Sequence, residues 1–175
     1  MPFEGGLEKA HSPWLLQGMD AAATRVVRAL RLREKVAVFG DYDADGITAT
    51  AVLHQFLQEL GLPCIPFIPD RLTQGYGLKI EGLKELAQQA RLVVTVDCGI
   101  SDAAEVAWAK AAGLEVIITD GRQPIGRGIG PVPGQHLDAV AAGALDLLDA
   151  PVADRVRQAA AGRLPKAVVF QRDDE

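Results

Sequence analysis

The amino-acid sequence predicts an α/β fold: a doubly wound parallel sheet covered by helices on both faces. Short apolar runs alternate with longer amphipathic stretches at least three times, which is the order of βαβ units joined by right-handed crossovers. The chain has 175 residues, 49% of them hydrophobic and 23% charged, and this is enough to bury one sizeable core. We therefore expect three layers, α/β/α, in a single domain over residues 1–175.

The first helix is predicted over 20–33, where apolar residues at spacings of three and four form one stripe. The strands are short continuous apolar runs, typical of strands buried on both faces. They are predicted at Val36–Phe39, Cys64–Ile68, Leu92–Val96 and Leu114–Thr119. The intervening helices are predicted at Ile47–Leu60, Ile80–Ala90 and Asp102–Ala112. Gly61 and Gly113 then stand where a left-handed residue ends a helix.

The pattern loosens after Asp120. Residues 121–134 include five glycines and three prolines, which predicts a loop. Two more helices and a strand are expected beyond it, at His136–Leu148, Val152–Ala161 and Ala167–Phe170. The chain after about residue 165 is expected to be flexible, with a frayed charged end.

Composition excludes several classes of protein. No apolar stretch is long enough to cross a bilayer, and Met1–Ala10 is too polar for a signal peptide, so a cytoplasmic protein without membrane contact is expected. Cys64 and Cys98 form no C-x-x-C pair, which excludes a zinc finger, an iron–sulfur cluster and a disulfide scaffold. The net charge of −5 is mild, and bound divalent cations would offset it, so a nucleic-acid partner remains open.

Aspartates follow three of the predicted strands. The loop G-D-Y-D-A-D-G at 40–46 follows the first strand, and Asp97 and Asp120 follow two others. The carboxyl ends of parallel strands share one edge of the sheet, where such folds bind ligands. Carboxylates gathered there are costly unless cations compensate them, and oxygen ligands favour Mg²⁺ or Mn²⁺. A metal site is therefore predicted, with Asp43 and Asp45 turned towards one ion from the loop.

These aspartates are also open to other interpretations. Asp102 and Asp120 could each simply cap a following helix. The D-x-D-x-D-G run also opens a calcium-binding EF-hand loop, but no glutamate stands at the twelfth position of that loop. The sequence has no G-x-x-x-x-G-K-[ST] motif, which excludes a P-loop nucleotide site. The glycines at 126–130 are weak evidence for a phosphate cradle.

The segment 38–46 resembles the first motif of the DHH phosphoesterases, and its sequence is the form of the motif found in the RecJ-type single-strand exonucleases. Three motifs follow in the family's order: Arg71 with G-Y-G-L at 75–78, V-D-C-G-I at 96–100, and Asp120 in the place of D-H-H. The resemblance covers about residues 20–125. It implies a Rossmann-like fold and metal-dependent 5′ to 3′ hydrolysis of single-stranded DNA, in DNA repair and recombination.

The resemblance also implies roles for individual residues. The implied ligands of up to two Mn²⁺ or Mg²⁺ ions are Asp43, Asp45, Asp97, Asp120 and Asp154, with Asp97 bridging the ions and Asp41 supporting the ligands. The implied catalytic residues are Asp97, Arg71 and Arg122, of which the arginines neutralise charge on the phosphate. The implied substrate-binding residues are Arg71, Gly75, Tyr76, Gly77 and Arg122.

The chain departs from the family after Asp120, because Gly121 and Arg122 stand where two histidines are expected. Gly121 supplies no ligand, and Arg122 can hold a phosphate but cannot replace a histidine as ligand or acid. Asp154 is also closer to Asp120 than the family pattern has it. The alternative hypothesis is therefore an inactive module of the same fold that serves as a nucleic-acid-binding or replication or repair partner protein. No second domain that would clamp DNA is expected in this chain.

Overall fold

The computed structural model describes Trp14, residues 18–70 and residues 75–120. In these ranges four helices alternate with four strands. They are α1 (Met19–Leu32), β1 (Val36–Phe39), α2 (Ala44–Glu59), β2 (Cys64–Phe67), α3 (Ile80–Gln89), β3 (Leu92–Thr95), α4 (Ala103–Ala111) and β4 (Glu115–Ile117). The predicted elements beyond Asp120, and with them the single-domain prediction, lie outside the described residues.

The four strands form one parallel sheet in the order β2-β1-β3-β4. The chain runs from β1 to β2 on one side and then returns to place β3 on the other side of β1. This reversal makes the fold doubly wound, as predicted, and puts its switch point between the carboxyl ends of β1 and β3.

The two faces of the sheet bury separate apolar clusters. Val36 and Val38 of β1 pack in a cluster with residues of α1 and α2, including Met19 and Leu57. The alternate side chains of β1, Ala37 and Phe39, pack in the second cluster. This cluster also contains Leu83 and Leu86 of α3 and Ala109 of α4. β1 and β3 are buried at every position, as expected for strands covered on both faces.

Local signals account for both ends of α2 and for the carboxyl end of α4. Gly61 and Gly113 both have positive φ, of 76° and 78°, as their positions after α2 and α4 predict. The start of α2 differs from the prediction, because α2 begins at Ala44 instead of Ile47. Asp43 caps α2 by accepting a hydrogen bond from the Gly46 amide at 2.8 Å.

A group of three charged residues joins α1 to the amino ends of β1 and β4. Arg25 of α1 lies 2.7 Å from the Glu34 carboxylate and 2.9 Å from that of Glu115, at the start of β4. The Arg25 and Glu34 side chains are largely buried, whereas Glu115 is half exposed. This group is at the sheet edge opposite the aspartates. None of the described helices is long and apolar enough to cross a membrane.

Candidate functional site

The carboxyl edge of the sheet brings the ends of three strands together. Past the last paired residues the backbone ladder continues, with Val96 N donating to Phe39 O at 2.8 Å and Asp97 N donating to Thr119 O at 2.8 Å. Asp41, Asp97 and Asp120 therefore follow the carboxyl ends of β1, β3 and β4, at one edge of the sheet. The first two flank the switch point, where this class of fold binds its ligands.

The loop after β1 is folded tightly onto the start of α2, and glycines at both of its ends permit this. A Cβ at Gly40 would lie 1.9 Å from Thr50 Oγ1, and one at Gly46 would lie 2.7 Å from Asp41 Cβ. Asp41 is consequently buried, at 3% exposure, and its Oδ1 accepts from the Tyr42 amide at 2.7 Å. This geometry suits a supporting position beneath the site.

Asp43 and Asp45 are exposed on the solvent side of the same loop and helix. The prediction that both lie in the loop was wrong for Asp45, which is in the first turn of α2. The reason is the cap on Asp43, which lets the helix start directly after it. A carboxylate has two oxygens, so capping by Asp43 Oδ1 is compatible with a ligand contact through Oδ2.

Asp97 has a left-handed backbone, with φ of 58°, although it is not glycine. Its amide donates to Thr119 O, and its own carbonyl accepts from the Tyr76 hydroxyl at 3.1 Å. The conformation costs about 1–2 kcal/mol for an ordinary residue and less for aspartate, which tolerates it. Strain of this kind is typical of functional positions.

Two buried threonines hold the turn that carries Asp97. Thr95 Oγ1 donates to Cys98 O at 2.7 Å and accepts from the Thr119 amide at 3.2 Å, while Thr119 Oγ1 donates to Thr95 O at 2.6 Å. No sequence motif assigned a role to these two threonines. Their only signal was that each is a polar residue in or next to a buried apolar run.

Asp120 is buried at 7% exposure, and its Oδ2 accepts from the Ile100 amide at 3.2 Å, in the loop that follows Asp97. Asp102 occupies the N-cap position of α4 but makes no capping hydrogen bond there. Its Oδ2 accepts instead from the Leu78 amide at 2.6 Å. The prediction that Asp102 could simply cap a helix was therefore wrong for its side chain.

The pKa of the Cys98 thiol is affected by the carboxylates of the site. The thiol is buried, donates to Phe39 O at 3.8 Å, and has its pKa raised to about 12. Burial is the main cause of the raised pKa, and the negative charges of Asp120, Asp41 and Asp102 add to it, against a lowering by a backbone hydrogen bond from Val96. Three carboxylates from three different loops thus act on one neutral thiol beneath the carboxyl edge.

The described residues contain no group of three or more His, Cys, Asp or Glu side chains spaced to hold a metal ion. Arg71, Gly121, Arg122 and Asp154 lie outside the described residues. Gly75 and Gly77 have positive φ, of 68° and 80°, and shape the loop that carries Tyr76.

Comparison with known proteins identifies relatives of this chain. Residues 35–127 match the model of the DHH family, N-terminal domain. The single-stranded-DNA-specific exonuclease RecJ of Thermus thermophilus is 44% identical over 119 residues, covering 68% of this chain and 17% of the relative. RecJ of Escherichia coli is 40% identical over 119 residues, covering 66% and 21%. This chain thus spans about a fifth of the length of these relatives.

Solved structures agree with the sequence relatives. A crystal structure of exonuclease RecJ bound to manganese is 34% identical to this chain with a TM-score of 0.62, and the match covers 90% of this chain and 41% of that one. A structure of RecJ in complex with Mn²⁺ from Thermus thermophilus is 30% identical with a TM-score of 0.59, covering 92% and 24%. The α/β fold predicted from the sequence is confirmed.

Proposed function

Because this chain belongs to the DHH family, we propose that it is the metal-binding domain of a single-stranded-DNA exonuclease. The proposal extends to 5′ to 3′ hydrolysis of phosphodiester bonds. The relatives that the chain matches are themselves named as exonucleases specific for single-stranded DNA, which favours an enzyme over the inactive module. The cytoplasmic location and the roles in DNA repair and recombination stay predictions.

The observation that carries the proposal is the placement of Asp41, Asp97 and Asp120 at one edge of the sheet, with the first two on either side of the switch point. Two of these carboxylates are buried, at 3% and 7% exposure. Asp41 accepts a hydrogen bond from the Tyr42 amide and Asp120 one from the Ile100 amide, and a bound cation would offset the negative charge that the two share at this edge. The left-handed backbone of Asp97 supports the same conclusion, because strain is retained where function requires it.

The donor set suits divalent cations of the hard type. The proposed ligands on the described part of the chain, Asp43, Asp45, Asp97 and Asp120, offer carboxylate oxygens, which Mn²⁺ and Mg²⁺ accept. Manganese is favoured because the similar RecJ structures contain it. When bound, such ions supply Lewis acidity at the scissile phosphate.

The protein's own residues would bind and orient the substrate. Guanidinium groups pair with phosphate oxygens through two parallel hydrogen bonds, so Arg71 and Arg122 would bind the phosphate and neutralise the charge that develops during hydrolysis. Asp41 would keep the loop after β1 in place from beneath, through its contact with the Tyr42 amide. Gly75, Tyr76 and Gly77 remain proposed contacts of the DNA strand.

The proposal is tested by digesting single-stranded DNA labelled at its 5′ end in Mn²⁺, with 3′-labelled and double-stranded DNA in parallel. We expect release of labelled nucleotides from the 5′ end of single strands, and loss of that activity in Asp97→Asn. A protein whose melting temperature does not change with Mn²⁺, and which digests no single strand, would contradict the proposal.

The departure at Gly121 and Arg122 gives a second test. If the absent histidines limit turnover, Gly121→His combined with Arg122→His should raise the rate above that of the wild type, because a metal ligand is restored at position 121 and a histidine takes over the phosphate contact of Arg122. The control is the same double variant carrying Asp97→Asn. A folded double variant no faster than this control would favour the inactive module instead.

A further inference from the structure

The Asp102 side chain has an unusual hydrogen-bond partner for a residue at a helix N-cap. An aspartate at an N-cap normally accepts a hydrogen bond from its own helix, and losing that bond costs about 1 kcal/mol. Asp102 leaves α4 uncapped and reaches a loop 24 residues earlier, where its Oδ2 accepts from the Leu78 amide at 2.6 Å. Leu78 is itself fully buried in the core. The loop at 75–78 is therefore anchored to the start of α4.

The approach of Asp102 depends on the glycine next to Leu78. A Cβ at Gly77 would lie 2.6 Å from Asp102 Oδ2, so a larger residue would push the carboxylate away. Gly75, two positions earlier, has a similar positive φ of 68°, but a Cβ there would meet nothing within 4 Å. The two glycines share a backbone requirement, and Gly77 alone also has a steric one.

The same loop contacts the site from its other side. Tyr76 donates its hydroxyl to the carbonyl of Asp97 at 3.1 Å, across 21 residues of sequence. Asp97 is the strained residue of the turn, and its amide is already engaged by Thr119. Its left-handed peptide is thus held by hydrogen bonds at both its amide and its carbonyl.

We propose that Tyr76 and Asp102 are positioning residues that together form a clasp, in which the 75–78 loop locks the Asp97 turn in its left-handed conformation. Asp102 holds the loop in place through the Leu78 amide, and the Tyr76 hydroxyl of the same loop holds the carbonyl of Asp97. The orientation of the Asp97 carboxylate therefore depends on a loop that lies about twenty residues earlier in the chain. The effect of the clasp on metal affinity rests on the proposed function.

Cys98 gives a readout of the clasp that needs no metal. It directly follows Asp97 and is 1% exposed, so a thiol reagent reaches it only when the turn opens. In a Cys64→Ala background, Tyr76→Phe and Asp102→Ala should raise its labelling rate about threefold to tenfold, the effect of one lost hydrogen bond. Gly77→Ala should raise the rate more than Gly75→Ala, which carries the same strain without the clash.

Two controls separate positioning from charge and from general instability. Asp102→Asn removes the charge but keeps an acceptor for the Leu78 amide, so it should label like the wild type. Arg25→Ala weakens the fold at the opposite sheet edge, and at matched global stability it should label more slowly than the clasp variants. Equal labelling in Asp102→Ala and the wild type, or in Arg25→Ala and the clasp variants, would overturn the proposal.

The effect on the site is measured by titrating Mn²⁺ and following the melting temperature. Tyr76→Phe and Asp102→Ala should weaken the apparent Kd about threefold to tenfold, whereas Asp102→Asn should not. Equal weakening in Asp102→Asn and Asp102→Ala would show a charge effect and overturn positioning at the site. A wild type without any Mn²⁺ response would refute the proposed function, whereas the labelling rates would still decide whether the clasp exists.

Discussion

Replacing Asp97 by glycine should separate the stability of this fold from its proposed function. Asp97 has a φ of 58°, a conformation that costs a residue with a Cβ about 1–2 kcal/mol, less for aspartate, and costs glycine nothing. Glycine loses about 0.5–1 kcal/mol through the entropy of the unfolded chain. The hydrogen bonds of Asp97 to Thr119 and Tyr76 use backbone atoms and survive the change.

We therefore expect the free energy of unfolding of Asp97→Gly to lie within about 1 kcal/mol of the wild type, because the relieved strain and the added entropy of the unfolded chain are of similar size. The response to Mn²⁺ should behave differently. At a hundredfold excess over Kd, an ion adds about 2.7 kcal/mol to the wild type, or about 5–10 °C in Tm, and this gain should disappear in the variant. Stability would be kept while ion binding is lost.

The assay is urea unfolding with and without Mn²⁺, followed by circular dichroism. Asp97→Ala keeps the strained Cβ and should be about 1 kcal/mol less stable than Asp97→Gly. Arg33→Gly is the matched control, because Arg33 also has a positive φ, of 51°, and is exposed at the end of α1. A loss of more than about 1 kcal/mol in Asp97→Gly, beside a gain in Arg33→Gly, would refute the reasoning.

Three further outcomes are expected from single substitutions. Gly40→Ala should lower the free energy of unfolding in urea by about 2–4 kcal/mol. The new Cβ would lie 1.9 Å from Thr50 Oγ1, so the Thr50 hydroxyl would have to move. Arg25→Ala should cost about 2 kcal/mol by leaving the largely buried Glu34 without its cation, and Arg25→Lys should recover part of this loss. The raised pKa of Cys98, about 12, favours the neutral thiol in the folded state. Burial also raises the pKa of Cys64 to about 12, so the measurement uses a Cys64→Ala background. In that background stability should be complete below the pKa of the unfolded thiol and fall at higher pH by about 1.4 kcal/mol per unit until pH passes about 12, and adding Cys98→Ala should remove that slope.

The arrangement of the elements followed from local patterns. The apolar runs at 36–39 and 92–95 predicted β1 and β3, and the structure has them at those positions. Such runs are readable because burial on both faces demands apolar residues at every position. The placement of Asp41, Asp97 and Asp120 at one edge followed from the same patterns, since parallel strands end together.

Three features of the site were decided by contacts between distant parts of the chain. Asp102 is paired with Leu78, and Tyr76 with Asp97, over separations of 24 and 21 residues. No local pattern encodes such a choice, and propensity alone assigns Asp102 to a helix cap. The left-handed backbone of Asp97 is likewise unfavourable by itself and persists only because Thr119 and Tyr76 hold it.

The amino-acid sequence by itself determined the order of strands and helices, the doubly wound sheet and the aspartates at its carboxyl edge, because hydrophobic periodicity and turn chemistry act over a few residues. Only the tertiary structure decided which carboxylates are buried, which one caps a helix and which one holds a loop. A carboxylate accepts hydrogen bonds from any nearby amide, so its partner depends on which backbone amides the packing of the sheet and helices brings within reach.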